Sequence, residues 1–344
     1  MSGGVSCSPG TLLPQWSATL DDYALDCRWS PDGLKLVASS SAGEIVLFEA
    51  GNGRVCQRWA GHDLGTPTLS WKPDSSVLAS GGQDARVRCW EPGKDEPIST
   101  FPAGGDWVEQ VAWSPDGSHL AWGAGRNLCM VDIASGKITI HDAHPATVHD
   151  LHWSPSEKLR LATCTAGGIW FWKPGRAASI RHFAWQGAGL TVRWSPDRRY
   201  IAMGDQDATV HFWFIKDGTH LRMAGFPGKI RLIDWASTSR RLATASGTCL
   251  AIWDCTGRGP EGRPPTMLEG TNAPYTALAY HPDGQILASG DAGGTIILWE
   301  PEKTSRFVSV ARRLSGVSVI RWSPDGQRIA VGFENGDITV FEPI

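Results

Sequence analysis

The sequence predicts an all-β chain, and three observations carry that prediction. An aromatic residue followed by Ser-Pro-Asp-Gly, or a decayed copy of it, recurs eight times. The copies stand 40 to 45 residues apart with no missing member. Short alternating apolar runs flank each copy and are bounded by Gly, Asn and Asp, which is strand-and-turn chemistry. The recurring aromatics are Trp29, Trp71, Trp113, Trp153, Trp194, Trp235, Tyr280 and Trp322.

Each period contains the same parts in the same order. A first strand, such as residues 232 to 235, runs into the Pro-Asp-Gly turn, where Pro fixes φ and Gly accepts positive φ. A second strand follows, as in Leu78-Ala79-Ser80 or Leu287-Ala288-Ser289. A tight turn such as Asn335-Gly336 suits a two-residue hairpin. The third strand ends on an aromatic (Phe48, Trp90, Trp172, Trp213, Trp253, Trp299 or Phe341), with Val131 in its place in the third repeat. A looser fourth strand and a long loop lead onward. Four short antiparallel strands per period stack radially as the blades of a β-propeller. The expectation is therefore one eight-bladed propeller of four-stranded blades over residues 11 to 344. The last repeat stops after its third strand, while residues 12 to 18 read as an orphan strand whose Gln15-Trp16-Ser17-Ala18 resembles Gln57-Arg58-Trp59-Ala60. That strand is expected to close the last blade and remove an open edge, leaving residues 1 to 10 as a disordered tail.

These phrases resemble the WD-repeat family in its Ser-Pro-Asp-Gly-rich form, over about residues 12 to 344. The eponymous Trp-Asp occurs once, at Trp253-Asp254, with Trp90-Glu91 and Trp299-Glu300 as near versions, and the family's Gly-His stands at Gly61-His62. The resemblance implies a rigid platform on which other proteins dock. It also implies that His62, Ser80, Asp84 and Trp90 form a buried hydrogen-bond network tying a loop to its strands. A His-Ser-Asp trio spells a catalytic triad as well, but this Ser lies mid-strand and not on an exposed turn. His144 holds the same place in the fourth repeat, and Asp207 and Trp213 hold the Asp and Trp places in the fifth. Trp185 and Phe226 occupy the His place in their repeats, where packing is the expected role.

Composition agrees with a globular chain: 41% hydrophobic, 19% charged, net charge -3, with 40 Gly, 22 Pro and 18 Trp. A balance this near neutral argues against nucleic acid as the direct partner. The eight cysteines are scattered without a CxxC pair and are expected to be reduced. No apolar run approaches the ~18 residues that a membrane span needs, and no export signal opens the chain, so the expected compartment is the cytoplasm.

The chemistry sought elsewhere is sparse. His141, His144, His149 and His152 are close in sequence but lack a ligand spacing, because alternation along a strand turns them to different sides. Asp26, Glu109 and Asp150 fall near the mouth of the central channel, yet the other repeats hold no matching carboxylates. No catalytic residue, cofactor or metal is expected. A protein-docking surface is expected on the face carrying the loops from fourth to first strands. Counting six and four residues back from each repeat aromatic picks out Tyr23, Trp107 and Lys229, then Glu109, His149 and Arg231, with Tyr275 beside them. The insertion Gly257 to Pro265 offers a second contact at the opposite end. Two rival expectations stand: a small-molecule or metal site in the channel, hydrolase-like, and a protein subunit of a nucleic-acid-associated complex. The chain alone is expected to be monomeric.

Overall fold

In the computed structural model, which describes residues 10–141, 144–156, 158, 160–303 and 307–343, the Ser-Pro-Asp-Gly phrase closes on itself. Ser30 Oγ donates to Asp32 Oδ1 at 2.5 Å, Leu34 N donates to the same oxygen at 3.0 Å, and Gly33 N reaches Ser30 O at 2.8 Å with φ of +71°. The side chain thus repeats the turn that the backbone makes, which is why Ser and Asp stand two apart. Ser114 and Asp116, Ser195 and Asp197, and Ser323 and Asp325 form the same bond.

Strands alternate between neighbours on both faces, so both faces are apolar and pack on the next sheet. Trp59, Trp172 and Trp299 are fully buried there. The third repeat solves its missing aromatic differently. With the small Val131 at the end of its third strand, Trp122 from the second strand fills the layer and stacks on Phe101, centroids 5.7 Å apart.

The repeat aromatic has a second task, latching each repeat to the one before. Trp29 Nε1 donates to Arg321 O (3.0 Å), Trp71 to Arg28 O (3.3 Å), Trp153 to Ala112 O (3.1 Å) and Trp194 to His152 O (3.1 Å). Trp235 reaches Arg193 O at 3.3 Å and Trp322 reaches Ala279 O at 3.0 Å. The bond from Trp29 to Arg321 joins first and last repeats, so the ring is closed. Among the described residues, the Trp113 indole and the Tyr280 hydroxyl have no such partner.

Hydrogen bonding corrects the expected count. The described strands form seven sheets, not eight separate four-stranded blades. Five sheets have four strands, one has five and one has six. The six-stranded sheet arises because two turns are too short to interrupt the ladder. Leu161–Trp172 runs unbroken and folds back on itself at Gly167 and Gly168, both at positive φ, so that Trp172 Nε1 donates to Thr163 Oγ1 at 2.8 Å. Arg181–Trp194 then pairs with that strand by its first half and with Tyr200–Asp205 by its second. The fourth and fifth repeats therefore share one sheet. The fifth strand of the five-stranded sheet is Gly10–Thr11, parallel to Phe307–Arg312.

The chain ends meet through Leu13–Thr19, which pairs antiparallel with Asp337–Glu342. Residues 1 to 9, most of the expected tail, lie outside the described residues. Seven cysteines from Cys27 to Cys255 are free thiols, and burial pushes the Cys27 thiol up to about 12.

Candidate functional site

The innermost strands direct alternate side chains into the central channel, and there the carboxylates are already committed. Asp26 accepts from Cys27 N (3.0 Å), Leu69 N (3.2 Å), Arg28 Nε (3.0 Å) and Arg321 (3.2 Å). Asp150 accepts from Leu151 N (2.9 Å), Thr191 Oγ1 (2.8 Å), Val192 N (3.0 Å) and Arg193. Asp234 accepts from Trp235 N (3.0 Å) and from Tyr280 N (2.6 Å), and burial holds its carboxyl above the ordinary value. Each of these carboxylates binds its own strand and the first strand of the next repeat. They stitch the ring.

The four clustered histidines disperse. His144 is buried with Nε2 2.8 Å from Thr163 Oγ1, and burial drops its pKa to about 4. His152 accepts Trp194 N at 3.1 Å, with burial and then Arg193 taking it to about 3. His141 meets the edge of Trp172, centroids 5.1 Å apart, and His149 faces Glu109 at 3.8 Å. Among the described residues, no three His, Cys, Asp or Glu side chains converge on a metal-sized site.

His62, Ser80, Asp84 and Trp90 form a directional chain. Trp90 Nε1 donates to Ser80 Oγ (2.8 Å), the hydroxyl lies 2.8 Å from His62 Nε2, and His62 Nδ1 lies 2.8 Å from Asp84 Oδ1. Arg88 closes the end by donating to Asp84 Oδ2 at 2.6 Å. The ring fits because Gly82 lies against it: a Cβ there would sit 2.1 Å from His62 Nδ1. Burial lowers the His62 pKa, so the imidazole is neutral. In the fifth repeat Asp205, not Asp207, takes the buried role. It accepts from Trp185 Nε1 at 3.0 Å and lies 3.0 Å from His211 Nε2.

At the end of the channel carrying the fourth-to-first loops, a cavity of about 500 Å³ brings together Trp107, Glu109, His149 and Arg231, with Pro67 and Leu190. Trp107 stands 57% exposed on its rim. Lys229 is exposed nearby in sequence but does not line the cavity. Tyr23 is half-buried in the first repeat. Tyr275 does not reach the surface: it is 6% exposed and packs in the core with Leu250 and Trp299, which removes it from any docking face. Its position at the head of a strand, Tyr275–Tyr280, points it into the layer between sheets. Gln83, Gln110 and Arg193 also line the cavity and were missed by counting six and four back. Gln110 and Arg193 stand three and one before their repeat aromatics. Those are channel-facing places, and a count extended inward would have found them.

Comparison with known proteins agrees with the repeat geometry. The family model "WD domain, G-beta repeat" matches residues 53–91, 182–213 and 262–300. The chain is a WD-repeat β-propeller. This WD-repeat chain is 26% identical over 174 residues to the APC/C activator protein CDC20 of Saccharomyces cerevisiae, a match covering 50% of this chain and 28% of that protein. It is 24% identical over 187 residues to bovine transducin beta-like protein 3, covering 51% and 22% respectively. Against the small ribosomal subunit protein RACK1 of Schizosaccharomyces pombe it is 25% identical over 135 residues, covering 36% and 40%. The chain thus spans between about a fifth and two fifths of the length of each of these relatives. Among solved structures, the computationally designed Ika8 protein superposes with a TM-score of 0.81 at 19% identity, covering 94% of this chain and 98% of that one. That likeness concerns the fold alone.

Proposed function

We propose that this WD-repeat chain is a non-catalytic docking subunit of a larger assembly, holding a protein or peptide at the cavity that Trp107, Glu109, His149 and Arg231 line. The observation that carries this reading is a tryptophan left 57% exposed on the rim of a concave site in a chain that buries most of its other tryptophans. A large, low-entropy ring beside an exposed arginine is what interface hot spots are made of. The channel carboxylates support the non-catalytic part, since their oxygens already accept hydrogen bonds from amides and arginines. Two relatives carry names that place them in assemblies, a ribosomal subunit and the APC/C, and a platform role for this chain is in keeping with that.

The test is a pull-down of the partner that copurifies from the native source, with Trp107→Ala and Arg231→Ala. Each is expected to weaken binding about tenfold or more, roughly 1.4 kcal/mol, with the melting temperature unchanged. Full binding by both variants would remove the site from this face.

A further inference from the structure

We propose that the groove at the opposite end of the fourth repeat, beside its first turn, binds an acidic protein segment: an extended peptide bearing clustered carboxylate or phosphate side chains. The groove has a volume of about 660 Å³ and is lined by Lys158, Arg160, Lys173, Arg176 and Arg181, together with Pro174 and Ile180. Among the described residues no carboxylate lines it, and Glu157, next to Lys158 in sequence, lies outside them. Arginines nearby are neutralised at home: Arg193, Arg199 and Arg241 pair with Asp150, Asp197 and Asp254. Among the described residues, none of the five cations of the groove enters an ion pair. Concentrating unpaired like charge costs folding energy, so the arrangement favours an anion that arrives from outside.

The site is also partly built in advance. The Arg181 guanidinium lies 4.3 Å over the Phe183 ring and donates to Ile215 O, which fixes its plane. A guanidinium held before binding loses less freedom when it forks onto a carboxylate or phosphate. The positive sector extends to the next repeat, where exposed Arg198 donates to Ser156 Oγ at 3.2 Å and Lys216 stands exposed beyond it. The equivalent turns of the first, second, third, fifth, seventh and eighth repeats present Asp32, Asp74, Asp116, Asp197, Asp283 and Asp325, whereas the fourth has Ser156 and the sixth Thr238 at that place. In a chain of net charge -3, five cations gathered around one groove concentrate positive charge in one place.

Shape selects among polyanions. No aromatic ring lines the groove, so unstacked bases would find no platform. A double helix presents phosphates along a wide rod and needs cations spread over a face, not gathered in a concavity within one repeat. A lipid surface likewise needs charge standing out from a flat face. An extended peptide is narrow enough to enter, projects charges on alternate side chains, and can lay apolar atoms on Pro174 and Ile180.

The experiment is fluorescence anisotropy on the full chain with a short labelled Asp/Glu-rich peptide and its phosphoserine-bearing counterpart, over a salt series. Binding that weakens with salt is expected for at least one peptide, and the comparison tells carboxylate from phosphate preference. Combining Arg160→Glu, Lys173→Glu and Arg176→Glu should weaken it about tenfold or more with melting unchanged. The pair Arg160→Gln and Arg176→Gln serves if the triple reversal unfolds. Lys137→Glu in the third repeat should have no effect. Absence of binding to either peptide overturns the proposal. So does retained binding in the reversed variant, equal loss in Lys137→Glu, or tighter binding of a labelled RNA oligonucleotide or anionic vesicles than of the peptides. Trp107→Ala leaves this binding intact, so failure at one end is separable from failure at the other.

Discussion

Replacing Trp16 with alanine tests how the ring is closed. Trp16 lies in the outermost strand of the last repeat, yet its ring packs on Phe48 of the first repeat, centroids 5.6 Å apart. Its Nε1 donates to Ala50 O at 3.0 Å, and it is only 9% exposed. Gly53 accommodates it, since a Cβ there would come within 2.4 Å of the ring. A buried tryptophan removes roughly 200 Å² from water, about 5 kcal/mol at ~25 cal/mol per Å². Large-to-alanine substitutions in cores cost about 3 to 5 kcal/mol, and a lost hydrogen bond adds about 1. Taking about 4 kcal/mol, and an unfolding entropy of roughly 0.7 kcal/mol/K for 344 residues, the melting temperature should fall by about 6 °C. Thermal denaturation followed by circular dichroism measures it. Truncation before residue 20 goes further, because it strips the partner from Asp337–Glu342 and exposes a strand edge, so aggregation should accompany the lower melting point. If Trp16→Ala melts within about 1 °C of wild type and the truncated chain stays monodisperse, the joint is not holding the ring together.

Three further outcomes follow from the buried polar groups. His62→Ala leaves Ser80 and Asp84 each short of a partner and should cost about 1 to 3 kcal/mol in urea unfolding; any hydrolase activity lost without a stability change would contradict the structural role. His144, buried neutral with its pKa lowered to about 4 from 6.5, keeps its full contribution above pH 6.5 and loses it as pH falls toward 4, because the unfolded chain takes up the proton first. The loss is about 3 kcal/mol at most, and His144→Gln should flatten that part of the stability-pH curve; an unchanged slope refutes it. The Tyr275 hydroxyl is buried without a hydrogen-bond partner among the described residues, so Tyr275→Phe should melt at or above wild type, whereas a clear loss would reveal a partner.

What the sequence made legible was whatever one repeat decides for itself. The turn is written in Ser30, Asp32 and Gly33, because the bonds that close it span no more than a few residues. The latch was legible only as a conserved-looking aromatic spacing within the chain, since its acceptors lie one repeat away, as Arg321 does for Trp29. The sheet count was not legible. Whether Arg181–Trp194 breaks between two repeats depends on the loop Ala184 to Gly189 continuing in extended form, and no residue in it forbids or demands that. At the site, Trp107, Glu109, His149 and Arg231 converge because they share one end of neighbouring strands, whereas Tyr275 fails because facing is set by a one-residue change of phase. The Asp205 network was missed because the buried carboxylate sits two residues before the expected Asp207, inside the strand and not in its turn.

The six-stranded sheet gives the two proposed surfaces a fixed relation. His149, Asp150, Leu190 and Arg193 stand at one end of it or in the loop entering it, and line the cavity under Trp107. Arg160, Lys173 and Arg181 stand at its other end, around the cationic groove. Arg181–Trp194 pairs with Leu161–Trp172 by its first half and with Tyr200–Asp205 by its second, so one run of chain carries Arg181 of the groove and Leu190 and Arg193 of the cavity. Elsewhere in the ring, neighbouring repeats are joined by loops and by the indole latches. Here a continuous hydrogen-bonded ladder joins them. Coupling between distant sites needs an element with two arrangements that both ligands bias. On the two proposals above, a partner in the cavity and an acidic segment in the groove would be held by one sheet, and the affinity for the acidic peptide is expected to be the same with and without the cavity's partner bound.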